Sequence, residues 1–126
     1  MKFKVIDAYR YWWPVTVEIP DRDKPGKFAT QSFTMQFEAI SSDESNDILK
    51  EIAALKPEEQ KKRQHEELMR VCKDWRDVVD GPDGKEEQVP FSEAALAANL
   101  QFSWFSRGVY KAYGQSLTPD EARRGN

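Results

Sequence analysis

The chain has one histidine and one cysteine, His65 and Cys72, seven residues apart. On a single helix that separation is about 10 Å, too far for the two to share a metal ion. No second Cys or His completes a zinc site, and His65-Glu66-Glu67 lacks the second histidine of an HExxH motif. The acidic stretch Asp80 to Glu87 suggests calcium by composition only. With Gly84 at position six of an EF-hand loop, position one falls on Val79 and the obligatory glutamate position on Pro90. Gly81-Pro82-Asp83-Gly84 has no Lys-Ser/Thr beside it, and neither GxSxG nor GxGxxG occurs. The acidic residues fall mostly on polar faces, not in a pattern that would hold a carboxylate pair in a pocket. The residues therefore point away from an enzyme: no catalytic residue, no metal ligand and no cofactor site is assigned.

The aromatics offer a different chemistry. Phe102, Trp104, Phe105, Tyr110 and Tyr113 could stack on bases. However, 22 acidic residues outnumber 19 basic ones, for a net charge of −3, so the basic excess expected of a nucleic-acid binder is missing. Phe102, Phe105, Val109 and Tyr113 lie near one helical stripe and read as core, whereas Trp104 and Tyr110 lie off it. Trp12 and Trp13 are adjacent, so in a strand they face opposite sides. One can join the core; the other is either covered by helices or exposed. Trp12, Trp13, Trp104 and Tyr110 are thus the candidate residues of a partner-binding surface.

The elements that would position these residues follow from periodicity. Val15, Val17 and Ile19 alternate with Thr16 and Glu18, and Phe33, Met35 and Phe37 alternate with polar residues, as in half-buried antiparallel strands. Pro14 argues for an edge position or a bulge. Phe3 and Val5 suggest a further short strand. Ser41-Ser42-Asp43-Glu44 is a capping box opening a helix with Ile48, Leu49, Ile52 and Leu55 on its apolar stripe. Pro57 suits the first turn of a second helix. Its polar run, Glu58 to Glu67, is a solvated helical surface supported by the pairs Glu58–Lys62, Glu59–Arg63 and Glu66–Arg70, or else a frayed linker. Leu68, Val71, Cys72, Trp75, Val78 and Val79 recur at spacings of three and four, which extends this helix to residue 79 and buries Trp75 between helices. The Asp80–Gly84 turn then stops it. Ser92 caps the next helix, with Phe91 stapled to Leu96, and Gly114 ends the aromatic one.

The expected fold class is α+β: an N-terminal antiparallel β-hairpin or small sheet within residues 1–40, followed by three or four packed helices near 42–55, 58–79, 92–101 and 103–114. A single domain of 126 residues is expected, with a β part at 1–40, a helical part at 41–114 and a flexible tail at 115–126. Thr118-Pro119-Asp120-Glu121 carries a helix-start pattern with too few residues after it to form a stable helix. Either it is a frayed terminal turn, or a longer product completes the helix. A lone cysteine on an apolar stripe suits a reducing compartment, and no apolar run or signal-peptide core suggests a membrane or secretion, so the protein reads as cytosolic. Balanced charge gives little net steering. Partner binding is expected to rest on apolar contact and to weaken little with salt.

Several of these segments together resemble the tail assembly chaperones of long-tailed bacteriophages. They are Tyr11-Trp12-Trp13-Pro14-Val15-Thr16-Val17, Phe33 to Phe37, Trp75-Arg76-Asp77-Val78 with its Gly/Asp turn, Val89-Pro90-Phe91-Ser92-Glu93, and Ala112-Tyr113. The resemblance spans nearly the whole chain in the same order, and the segment from Trp75 to Ser92 carries most of it. Pro82 between the two glycines and the extra Glu86-Glu87 depart from the simpler turn expected there. The resemblance implies a non-catalytic assembly factor that binds the hydrophobic tape-measure protein and helps recruit the major tail protein. The charge balance and the lack of a membrane-length apolar run leave nucleic acid and membrane out as partners, and self-association stays open. The resemblance also implies residence in the cytoplasm of the infected bacterial host, absence from the mature virion, and often a longer product made by ribosomal frameshifting. The alternative is a small structural tail or head-completion protein retained in the virion; a third class is a phage protein that blocks a host enzyme.

Overall fold

The computed structural model describes residues 1–119. The two alternating segments form strands β1 (Arg10–Pro20) and β2 (Phe28–Glu38), paired antiparallel over their full lengths. The loop between them is closed by Asp21, whose Oδ1 accepts from the backbone N–H groups of Asp23 and Lys24. Gly26, at a φ of 80°, makes the return. The expected strand at Phe3 and Val5 does not form. Both side chains are exposed, Phe3 at 88%, because nothing there pairs with the segment.

Helix α1 (Ser42–Ala54) starts as the sequence indicates, with Ser41 Oγ accepting from the Glu44 N–H at 3.2 Å. Helix α2 (Pro57–Val71) has its proline at the first turn. Its arginines do not make the expected i,i+4 pairs with Glu59 and Glu66. Arg63 binds Glu51 at 2.9 Å and Arg70 binds Glu44, both on α1, while Glu67 lies buried between the two arginines.

The chief correction concerns residues 72–79. The helix stops at Val71, and Cys72–Arg76 forms a third strand, β3, antiparallel to β2. Sheet order is β1-β2-β3, so β1 is an edge, where Pro14 is tolerated. Phe37 pairs with Cys72 and Gln36 with Asp74, which leaves Lys73 as the extra residue of a bulge. The bulge turns Cys72 and Trp75 to the same face although they are three residues apart. Helical spacing is thereby imitated by a kinked strand. Asp77, at a φ of 64°, ends β3. The Asp/Gly stretch is a hairpin rather than a helix stop: β4 (Val79–Asp80) pairs with β5 (Glu87–Gln88), with Gly81 and Gly84 both at positive φ in its loop.

Ser92 caps α3 (Glu93–Leu100), accepting from the Ala95 N–H at 3.0 Å. Helix α4 (Ser103–Leu117) runs past Gly114, which is helical and does not terminate it, so residues 115–117 belong to α4 and not to a tail. Of the helix-start pattern at 118–121, Thr118 is the C-cap of α4, while Asp120 and Glu121, with the rest of the expected tail to residue 126, lie outside the described residues.

Helices α2, α3 and α4 pack on one face of the three-stranded sheet, and α1 packs on α2. The register aligns Trp13, Met35 and Trp75 in one row and Tyr11, Phe37 and Cys72 in the next. Against these rows pack Leu68 and Val71 of α2, Leu96 and Leu100 of α3, and Phe105, Val109 and Ala112 of α4. Trp75 is 5% exposed, buried as expected, but it belongs to the sheet and not to a helix pair. Among the described residues, no helix is long and apolar enough to cross a membrane.

Candidate functional site

Helix α4 lies along the edge strand β1, and Gly108 sets the distance between them. A Cβ at this position would stand 2.7 Å from Val17 Cγ1 and 2.8 Å from the Thr16 carbonyl oxygen. Only a glycine lets the two backbones come this close. Ring contacts anchor the helix on either side of that point. Phe105 stacks on Phe33 at 5.4 Å with an interplanar angle of 3°, and Tyr113 meets Phe37 at 5.1 Å. Near the C-terminal end, Ser116 Oγ lies 2.6 Å from the Tyr11 hydroxyl.

Between α4 and the outer side of β1 runs a groove of about 410 Å³. Trp13 and Pro14 form its strand wall, and Trp104, Arg107 and Lys111 its helix wall. Trp104 is held in place by Phe102, which stacks on it at 5.0 Å and 21°. Phe102, which its stripe position assigns to the core, is instead a half-exposed support at the start of α4.

The four candidate aromatics divide. Trp13 and Trp104 share this groove. Trp12 lies on the opposite, helix-free face of the sheet, where the Arg76 guanidinium sits 3.7 Å from its ring centroid. Tyr110 projects from another side of α4 into a second depression of about 600 Å³, alongside Pro57, Lys61 and His65. Arg107 and Lys111 border both depressions and had no place among the candidates. Their signal was available: 104, 107, 108, 111 and 115 fall on one face of a 3.6-residue helix.

Burial favours the neutral forms of Cys72, Tyr113 and His65. Burial pushes the Cys72 thiol up to about 12 and the Tyr113 hydroxyl up to about 12. At neutral pH Cys72 is therefore a protonated, buried thiol, a poor nucleophile. His65, half-buried on α2, is shifted down by desolvation and by the Lys61 charge. Among the described residues, no group of three or more His, Cys, Asp or Glu is placed to hold a metal ion. The groove offers apolar contact area and two cations for binding.

No protein-family model matches the chain, and no curated protein or solved structure is detectably similar to it.

Proposed function

We propose that this chain is a tail assembly chaperone of a long-tailed bacteriophage: a non-catalytic factor that covers apolar stripes of the tape-measure protein before the tube forms around it, and helps recruit the major tail protein. It would act in the cytoplasm of the infected host and be absent from the mature virion. The ordered series of segments in the sequence suggests the family. The observation that carries the reading to a surface is the meeting of Trp13 and Trp104 in one open groove. Two half-buried indoles held by a rigid helix and strand give a partner's apolar side chains a preformed seat, and each Å² removed from water contributes about 25 cal/mol.

Two measurements test the proposal. Tape-measure fragments should be retained by the immobilised chain, and mass spectrometry of purified virions should not find it. Retention together with presence in the virion would favour the structural tail or head-completion protein, and failure of every fragment to bind would remove the chaperone reading.

A further inference from the structure

Arg107 and Lys111 stand one turn apart on α4, both exposed, at the rim of the groove between Trp13 and Trp104. Among the described residues neither is held by an ion pair, whereas Arg10, Arg63 and Arg70 each bind a carboxylate. The groove's acidic lining is Glu18, so two cations face one carboxylate in a chain whose total charge is negative. A segment seated between the indoles would bring its own flanking side chains against these two cations.

The conformation of that segment follows from the state of the strand edge. An added strand needs a run of free backbone groups along β1. At the groove that run is interrupted. Pro14 has no N–H to donate, and the Thr16 carbonyl is covered by the α4 backbone at Gly108. A helix arrives with its backbone already hydrogen-bonded and binds through side chains alone.

We propose that the groove takes an amphipathic helix whose apolar stripe sits between Trp13 and Trp104 and is bordered by two carboxylates one turn apart, which meet Arg107 and Lys111. This rests on the reading of the chain as a binder of apolar helical stripes and adds a charge rule to it. It also places a local, salt-sensitive contribution beside the apolar one.

The test uses the full chain and synthetic helical peptides with one leucine stripe, bordered by a glutamate pair or a lysine pair at i,i+4. Binding is read from tryptophan fluorescence. The glutamate peptide should bind about tenfold tighter than the lysine peptide. R107E/K111E should reverse the order, and circular dichroism should show an unchanged fold because both positions are exposed. Equal binding of the two peptides, an unchanged order in the double variant, or tighter binding of a single-stranded oligonucleotide than of the glutamate peptide would overturn the inference. Tape-measure fragments that fail to bind while the glutamate peptide binds with the expected preference would overturn the chaperone reading and leave this inference standing. Fragments that bind without any response to R107E/K111E would do the reverse.

Discussion

The indole Nε1 of Trp75 donates a 2.7 Å hydrogen bond to the Val89 carbonyl, which joins the last strand of the sheet to the chain entering α3. The same indole meets Phe91 at 5.2 Å and Phe105 at 6.4 Å, both edge-on. One side chain thus holds β3, the segment before α3, and α4 together. Trp75→Ala should cost about 3–5 kcal/mol of unfolding free energy. Trp75→Phe keeps most of the apolar volume but leaves the Val89 carbonyl without its donor, and should cost about 1–3 kcal/mol. Urea denaturation of the two variants reads both values. A Trp75→Ala protein as stable as wild type would contradict the packing.

The two glycines of α4 should respond to alanine with opposite signs. At Gly108 the new methyl meets the Thr16 carbonyl, a backbone atom with little room to yield, so Gly108→Ala should lose about 1–3 kcal/mol. At Gly114 nothing lies within 4 Å of the added carbon, and the backbone is already helical. There alanine should gain about 0.5–1 kcal/mol through helix propensity. Thermal melts of the pair provide the comparison, each variant serving as control for the other.

Alkaline pH should destabilise the fold. The Cys72 thiol titrates near 9.0 when solvated and near about 12 in the native state, so between these values the unfolded chain has released a proton that the native protein keeps. Stability is then complete below pH 9 and declines as pH rises toward 12; Tyr113, raised from 10.0 to about 12, acts in the same direction. Cys72→Ala removes one of these contributions. Its stability relative to wild type should therefore improve when measured at about pH 11 instead of about pH 8. A difference that does not change with pH would show that the thiol is not linked to folding.

Partner binding should discriminate among the four surface aromatics. Trp13→Ala and Trp104→Ala remove the two walls of the groove and should each weaken retention of a tape-measure fragment about 30-fold, the ~2 kcal/mol typical of a central aromatic anchor. Trp12→Ala and Tyr110→Ala should leave it within about twofold, since neither lines the groove. Calorimetric titration of the four variants against one fragment decides the matter. The opposite pattern would move the site to the bare sheet face or to the depression around His65.

The sequence was most legible where a local rule has a single reading. Ser41 and Ser92 cap the helices they precede, β1 and β2 keep a period of two, and Pro14 lies on an edge. It misled where two structures share one spacing. Cys72 and Trp75 sit at i and i+3 because a bulge accommodates Lys73, and no periodicity separates that from a helix turn. Gly114 carried a stop signal that the chain does not use, because a glycine in an amphipathic helix is tolerated when packing on both sides holds it. The site was legible in part. Pairing Trp13 with Trp104 requires knowing that α4 lies along β1, and that is fixed by Gly108, whose small size has meaning only once its neighbour is known.

Helix α1 buries only Ile48 and Ile52, and neither belongs to the main core. The rest of its attachment to α2 is electrostatic, through Arg63 to Glu51 and Arg70 to Glu44, with both glutamates substantially exposed. Such bridges are screened by salt, whereas the sheet and α4 are held by contacts that salt barely touches. The amides of α1 should therefore exchange as a separate cooperative unit, opening well below the global unfolding free energy and more often as ionic strength rises. The sheet and the walls of the groove would stay closed through those openings, so the chain could release and recapture one helix without losing the surface it presents.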